Sequence, residues 1–275
     1  MFGERVSRSF RLLGASWEVL KADKELLVLP VLSFLFIAVA TAGLGALAWA
    51  GGFISERENP TALDYVYLAI FYFVTYFIGI FFNAAVVGAA TIRLRGGDPT
   101  VRDGLRMAAS KTGKIAGWAA VSATVGLILR SLEERFGFLG DIVVAIIGAA
   151  WSAVTFFVVP VLLYEPLGVF SGVKRSASIF KQRWGETFIG SGAIGLAMVL
   201  IALPVIAVAA GLGALYVPLG VGFGVLAVGL LVAVGSAMSG VFNAALYRYA
   251  TTGEATGAFD PTDLQGSFRP KRGRG

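Results

Sequence analysis

The chain contains no cysteine and no histidine among its 275 residues. The first absence excludes disulfides, thiol nucleophiles and cysteine-ligated metal or iron–sulfur sites. The second excludes histidine-ligated zinc or haem, a histidine general base and any serine–histidine–aspartate triad. Only carboxylate, lysine, tyrosine and serine chemistry remains, and no motif combines those residues into a catalytic set. We therefore predict no enzyme, no cofactor and no metal site.

Charge is also scarce. Only 15% of the residues are charged, whereas 57% are hydrophobic and the mean hydropathy is +0.79. A soluble domain typically carries roughly a quarter charged residues. The 36 glycines agree with this contrast, since glycine is more frequent in membrane helices than in soluble ones. The composition therefore predicts an integral membrane protein.

Six apolar runs are long enough to cross a bilayer, which needs about 20 residues of helix. We number them spans 1 to 6: Leu26–Trp49, Tyr65–Ile92, Ile115–Leu129, Leu139–Tyr164, Phe188–Leu212 and Leu219–Tyr247. Only residues 213–218 separate the last two spans, so a tight hairpin is expected there. An outer loop is expected near Arg130–Arg135, between spans 3 and 4. The fold class predicted is all-α, a polytopic bundle of six transmembrane helices.

The basic residues alternate between the connections. Arg57, Arg130 and Arg135 fall in one set of connections, and the other 20 of the 23 lysines and arginines fall in the other set or in the terminal segments. Cytoplasmic connections are enriched in basic residues, so both termini are predicted to be cytoplasmic. The net charge of +6 then reflects membrane topology, and no specific nucleic-acid partner is predicted.

Three segments that precede spans 1, 3 and 5 carry one apolar stripe at helical spacing. The stripes are Val6, Phe10, Leu13, Trp17 and Leu20; Val101, Leu105, Ala108, Thr112 and Ile115; and Val173, Ala177, Phe180, Trp184 and Phe188. Basic helices of this kind lie in the headgroup region of a membrane. The residues predicted to contact lipid, including anionic lipid, are Arg5, Arg8, Arg11, Trp17, Arg102, Arg106, Lys174, Arg175, Lys181 and Trp184. The alternative is that these helices pack on the protein's own cytoplasmic face.

The even-numbered spans resemble one another. Residues 82–85 and 242–245 both read Phe-Asn-Ala-Ala, and an acid followed by proline closes each unit at Asp98, Glu165 and Asp260. An acid near a helix N-cap accepts backbone N–H bonds, and proline suits the first helical position. The pattern predicts a unit of one amphipathic helix and one membrane hairpin, used three times.

Asn83 and Asn243 are polar residues within the spans and are equivalent under this repeat. An amide in hydrocarbon seeks a partner on another helix, so we expect them to hold spans 2 and 6 together. The alternative is that they line a pathway or bind a lipid headgroup. No acidic or basic residue lies at the predicted midplane, which argues against a pump or an ion-coupled transporter.

The stretch from Glu165-Pro166-Leu167-Gly168 through Gly172–Ser176 to Trp184-Gly185-Glu186 resembles a bacterial six-span family of unknown function. More distantly, the chain is similar to the membrane domain fused to some glycerophosphodiester phosphodiesterases. The histidines and metal-binding carboxylates of the phosphodiesterase domain have no match, so the resemblance implies a fold and a bacterial cytoplasmic (inner) membrane location, without that activity. Residues 1–260 are expected to form one transmembrane domain, and residues 261–275 a disordered, basic cytoplasmic tail.

Two functions fit the sequence. The first is a non-enzymatic scaffold or accessory protein that acts through lipids or a partner protein in a membrane complex. It is favoured by the uncharged spans and the basic amphipathic helices. The second is a permease or lipid-handling transporter for an uncharged or amphipathic substrate. It is suggested by the internal repeat and by Pro160, Pro204 and Pro218, which are able to break helices near a site.

Overall fold

The computed structural model of the chain describes residues 2–52, 61–183, 189–255 and 259, and every element in those ranges is an α-helix. The helices are α1 (Phe2–Ala22), α2 (Glu25–Ala50), α3 (Ala62–Leu94), α4 (Val101–Ala109), α5 (Thr112–Thr155), α6 (Val158–Tyr164), α7 (Val169–Arg183), α8 (Ile189–Leu215) and α9 (Val217–Thr252). The predicted all-helical class is confirmed for these ranges.

Six helical segments are long and apolar enough to cross a membrane, by length and composition. They are Glu25–Ala50, Ala62–Leu94, Thr112–Glu133, Ile142–Tyr164, Ala197–Leu215 and Val217–Thr252. Each overlaps one of the six predicted runs. Large apolar side chains such as Val39, Ile146 and Leu226 are exposed on the outside of the bundle, as lipid-facing residues are. The chain is therefore a multi-pass membrane protein.

Spans 3 and 4 belong to one helical element. The expected loop at Arg130–Arg135 lies within α5, whose helical hydrogen bonding runs from Thr112 to Thr155. The rings of Trp118 and Trp151 nevertheless stack with their centroids 5.7 Å apart. In a straight helix the 33 residues between them would span about 50 Å. The element therefore doubles back between the two rings and forms the hairpin that the sequence predicted, without a loop of irregular backbone.

Spans 5 and 6 form the tight hairpin expected from the sequence. Tyr216 alone separates α8 from α9, and its N–H donates to the carbonyl oxygen of Leu212 at 2.9 Å. A Cβ added at Gly220 would overlap the backbone of Gly213 and would lie 2.6 Å from the carbonyl oxygen of Ala209. Glycine at position 220 therefore lets the two backbones touch, as small residues do where membrane helices cross closely.

The core lies where α3, α6 and α9 pack against one another. Val87, Phe157, Val161, Phe242 and Leu246 are fully buried there. The helices α2, α5 and α8 pack around this centre, on α3 or α9. The C-terminal parts of the even-numbered spans thus form this centre, whereas the first part of span 4 is largely exposed.

One end of the bundle collects the basic segments. The backbone N–H of Val101 donates to Glu25 Oε2 at 2.8 Å, which joins the first residues of α4 and α2. Lys114 Nζ donates to the carbonyl oxygen of Glu165 at 3.0 Å, and Arg248 Nη1 donates to that of Leu94 at 3.5 Å. These bonds bring together the start of α5 and the ends of α3, α6 and α9. We call this end, with α1, α4 and α7, the basic end.

The three short basic helices pack on the protein. The helix α1 contacts α8 and α9, α4 contacts mainly α3, and α7 contacts α5 and α6. Their buried residues are Leu12, Ala15, Ser16, Val19 and Leu20 on α1; Gly104 and Ala108 on α4; and Gly172, Ser176 and Ile179 on α7. On α1 and α7, most of these buried residues lie one position before a residue of the predicted apolar stripe. Of the larger apolar residues of those stripes, Leu20 is buried, Leu13, Val173 and Phe180 are half-buried, and Trp17 is exposed.

Candidate functional site

A cavity of about 530 Å³ lies between α2, α3 and α4 at the basic end. Apolar side chains from α2 and α3 form its walls, and α4 contributes two arginines. The lining residues are Leu32, Phe36, Phe77, Ile78, Phe81, Phe82, Arg102, Leu105, Arg106 and Ala109. We call it the α2–α4 cavity. Its volume falls in the range of small-molecule binding sites, which run from about 300 to 1,000 Å³.

The N-terminus of α4 is fixed by a capping box. The Thr100 hydroxyl accepts from the backbone N–H of Asp103 at 3.2 Å and donates to Asp103 Oδ2 at 2.6 Å, which also accepts from the Thr100 N–H at 3.1 Å. The hydrogen bonds from Thr100, with smaller contributions from Arg106 and Arg102, hold the pKa of Asp103 below its ordinary value. The bond from Val101 to Glu25 adds a tie to α2. The helix is thus anchored before its first turn ends.

Two glycines let α4 pack directly against α3. A Cβ at Gly104 would lie 2.7 Å from the carbonyl oxygen of Ala85, and a Cβ at Gly88 would lie 2.7 Å from Met107 Sδ. The contact at Gly104 is with backbone, so that position requires glycine for this packing, whereas a side chain at residue 88 would require Met107 to shift. The close seat directs Leu105 and Ala109 toward the cavity.

Arg102 and Arg106 line the mouth of the α2–α4 cavity. They are one helical turn apart on α4, so they are neighbours on the same face. Both are exposed. Arg106 Nη1 lies 3.9 Å from Asp103 Oδ1, and Arg102 has no ion-pair partner in the part of the chain that the structure describes. Two cations therefore line an apolar cavity, and the described residues use little of their hydrogen-bonding capacity.

A second polar cluster at the basic end centres on Glu165. Arg175 Nε donates to both oxygens of the Glu165 carboxylate at 3.1 Å, and the Tyr247 hydroxyl donates to Oε1 at 3.0 Å. The Tyr164 and Tyr247 rings stack 6.1 Å apart. The carboxylate therefore bonds side chains of α7 and α9, whereas the sequence suggested that it caps a helix. This cluster ties three elements together at the basic end.

Span 4 is interrupted at Phe156 and Phe157, between α5 and α6. Pro160 has no N–H, so the carbonyl of Phe156 lacks its usual intrahelical donor. Asn243 Nδ2 donates to that carbonyl at 2.6 Å. Ser176 Oγ donates to the carbonyl of Val154 at 2.6 Å and accepts from the N–H of Phe157 at 3.0 Å. Side chains from α9 and α7 therefore satisfy the backbone at the break.

The two span asparagines have different surroundings. Asn243 joins span 6 to span 4, and not to span 2 as expected, because the proline leaves an acceptor there. Its Oδ1 atom is buried and has no hydrogen-bond partner among the described residues. Asn83 is half-buried on α3, and its side chain makes no hydrogen bond within the same part of the chain. Their sequence equivalence therefore does not extend to a shared contact.

Asp23 is a buried carboxylate between α1 and α2. Its Oδ1 atom accepts from the backbone N–H of Glu25 at 3.2 Å, and its Oδ2 atom has no partner among the described residues. Burial raises the pKa of Asp23 above its ordinary value, although the Arg93 charge acts in the opposite direction. A strongly polar residue in a short connection gives no sequence signal of burial, so this group was missed.

The other predicted site residues are dispersed over the basic end. Arg11, Lys174 and Lys181 are exposed, and Asp98 lies 3.6 Å from Arg93 through an exposed ion pair. Thr100 is the N-cap of α4, two residues after Asp98. Trp184 and Asp260 lie outside the described residues, as does the tail 261–275, and the side chains of Arg5 and Arg8 are not described. The aromatic walls of the α2–α4 cavity were not predicted, because in a span they look like any lipid-facing residues.

Comparison with known proteins identifies the family of the chain. Residues 62–258 match a family of unknown function, DUF6159. No curated protein and no solved structure matches the chain. The comparisons give no support for the expected similarity to the membrane domain of glycerophosphodiester phosphodiesterases. The match covers spans 2 to 6 with α4 and α7, and so includes two of the three walls of the α2–α4 cavity.

Proposed function

We propose that this chain, which belongs to the DUF6159 family of unknown function, is a non-enzymatic scaffold or accessory subunit of the bacterial cytoplasmic membrane. It acts through membrane lipids and a partner protein at its basic end. The observation that carries the proposal is the combination of an uncharged bundle interior with exposed cations on short helices that are themselves firmly seated. Val87, Phe157 and Phe242 fill the centre, and Arg102, Arg106 and Lys174 are exposed around it.

The orientation follows from the charge distribution. Of the 18 basic residues in the described part of the chain, 16 lie in the segments that meet at the basic end, and this excess favours the cytoplasmic side. The chain has no cysteine, so single cysteines report topology without background. Ser110→Cys at the basic end should react with an impermeant maleimide only in permeabilised cells. Tyr216→Cys, at the exposed turn between α8 and α9, should react in intact cells. The reverse pattern would contradict the proposed orientation.

A threefold repeat is part of the proposal. Its support is the equivalent placement of the three basic helices: α1, α4 and α7 each pack on an even-numbered span of the preceding unit, in the order α9, α3 and α6. Gly104 of α4 and Ser176 of α7 occupy corresponding positions on those packing faces. Such a closed arrangement suits a rigid platform, because each basic helix is held by a neighbouring unit.

A permease or lipid-handling transporter remains the second candidate, and one feature favours it. Transporter sites often contain interrupted spans. Span 4 is interrupted beside Asn243 Oδ1, which has no hydrogen-bond partner among the described residues. We rank it second because Ser176 and Asn243 bond the backbone groups of the break, as in a closed structural element.

Proteoliposomes separate the two candidates. Purified full-length chain is reconstituted and tested for swelling in uncharged solutes and for flipping of a fluorescent phospholipid. A scaffold should give the rates of protein-free liposomes. A protein-dependent rate that is lost in Asn243→Ala would overturn the scaffold proposal and establish the permease. The matched control is Asn83→Ala, which removes an equivalent amide away from the break.

A further inference from the structure

We propose that the α2–α4 cavity binds one anionic membrane phospholipid, with the phosphate on Arg102 and Arg106 and an acyl chain along the aromatic wall. The inference rests on the proposed function for its orientation, which places this cavity in the cytoplasmic leaflet. It adds a defined ligand class and a defined site to that function.

The arginine pair fits a phosphate. Guanidinium groups present planar arrays of donors that match phosphate oxygens, often through two parallel bonds. Arg102 and Arg106 lie one turn apart on the same face of α4, and the side chain of Arg106 is 67% exposed. The capping box and the seat of Gly104 on Ala85 fix the helix that carries them. The donors are therefore preorganised, and binding does not have to order α4.

The apolar part fits a hydrocarbon chain. Leu32 lies seven residues after the start of α2, and Phe77 lies 17 residues before the end of α3. At 1.5 Å per residue the cavity wall reaches from about 10 to about 25 Å below the helix ends. The rings of Phe77, Phe81 and Phe82 follow one another along this wall with centroids 5.9 and 5.7 Å apart. A chain that enters at the arginines therefore runs toward the bilayer midplane.

The side on which the α2–α4 cavity opens favours a lipid over other occupants. The side chain of Phe36 is 56% exposed and its ring lies 5.5 Å from that of Phe82, so the wall opens sideways to the hydrocarbon phase. Anionic headgroups lie at the level of the basic helices, where the leaflet attracts cations. Of the possible occupants, a phospholipid is the one that places a phosphate at the level of the arginines and an apolar chain at the level of the aromatic wall. An acidic peptide lacks the chain, and a second copy of this protein presents the same positive charge.

The test uses native mass spectrometry of the purified full-length chain, taken from micelles that contain phosphatidylglycerol or phosphatidylcholine with identical acyl chains. The variant Arg102→Gln/Arg106→Gln removes both charges at exposed positions. The control Lys21→Gln/Lys24→Gln removes two exposed charges at the end of α1 and the start of α2, and neither residue lines the cavity. The variant Ala109→Phe fills the mouth without changing charge.

The expected result is one phosphatidylglycerol per chain. The apparent affinity for phosphatidylglycerol should fall about thirtyfold in the arginine variant, because the variant loses two positive charges that attract the anionic headgroup. The lysine control should change it less than twofold, and Ala109→Phe should weaken both lipids. Retention equal to wild type in the arginine variant, or an equal loss in the lysine control, would overturn the site. A dimer or a bound peptide in place of lipid would overturn it too. The assay needs neither a partner protein nor solute flux. A negative result would therefore contradict the lipid site without contradicting the scaffold proposal, which the proteoliposome experiment tests.

Discussion

Asn243→Ala is expected to destabilise the bundle in a manner that depends on Pro160. The proline removes the N–H that would bond the carbonyl of Phe156, and Asn243 Nδ2 replaces that donor at 2.6 Å. In a Pro160→Ala background the new N–H at residue 160 is able to bond the carbonyl, because the helix of span 4 then has its full set of donors. Asn243 should therefore contribute to the free energy of unfolding in the native sequence and contribute little in the Pro160→Ala background.

The size of the effect has two opposing contributions. Loss of a donor from a buried carbonyl costs about 1–3 kcal/mol, whereas interhelical bonds in membrane proteins average about 0.6 and reach about 1.7 kcal/mol. The alanine also removes the buried Oδ1 atom, which has no partner in the described part of the chain, and its removal offsets part of the loss. We expect Asn243→Ala to cost about 1 kcal/mol in the native background and close to zero beside Pro160→Ala. The coupling between the two positions is then about 1 kcal/mol.

The measurement is a double-mutant cycle on the free energy of unfolding, in detergent or in bilayers. Asn83→Ala is the matched control, since Asn83 makes no hydrogen bond with the described residues, and it should cost close to nothing. Mutations at independent sites add within about 0.5 kcal/mol. If the effects of Asn243→Ala and Pro160→Ala add within that margin, the account of the break in span 4 is wrong.

Three further predictions concern packing, charge and the Glu165 cluster. Gly220→Ala should destabilise the last hairpin by about 1–3 kcal/mol in thermal unfolding, because its Cβ overlaps α8, while Gly222→Ala, with open space around it, should be neutral or stabilising. Asp23→Asn should stabilise the protein at pH 7. The raised pKa of Asp23 means that the folded state favours its neutral form. Its contribution to stability is therefore present at low pH and is lost as the pH rises through that pKa. In unfolding measurements over a pH series, the stability gained by the variant should vanish below about pH 4. Tyr247→Phe should cost about 1 kcal/mol of unfolding free energy through the lost bond to Glu165, and Glu165→Gln should make that substitution cost less in a double-mutant cycle.

The number of spans could be predicted from sequence because hydropathy and length are local properties. The runs that begin near Leu26 and Leu219 stand out in any window of the sequence, and both lie within helices of the structure. The hairpin of spans 5 and 6 was also accessible, since only six residues separate the runs. The break in span 4 was partly accessible, because Pro160 marks it. Pro204 gives the same local signal yet lies inside an uninterrupted helix.

Packing faces were harder to predict. The predicted stripe of α1 runs through Leu13 and Trp17, but the face buried against the bundle runs through Leu12, Ser16 and Val19, one residue earlier. In a membrane, large apolar residues lose nothing by facing lipid, whereas small ones allow helices to approach closely. Hydrophobicity alone therefore locates the protein-facing side of such a helix only approximately. The α2–α4 cavity was inaccessible for the same reason, since its aromatic wall becomes a site only through the way α4 lies across α2 and α3.

The most direct test of the accessory role is purification of the full-length chain from its native membranes in a mild detergent, followed by mass spectrometry of the proteins and lipids that co-elute. An unrelated six-span protein with the same tag serves as the control. The account predicts one partner protein at fixed stoichiometry, together with bound anionic phospholipid. A chain that elutes without a partner and carries an enriched small solute would contradict it and would favour the transporter.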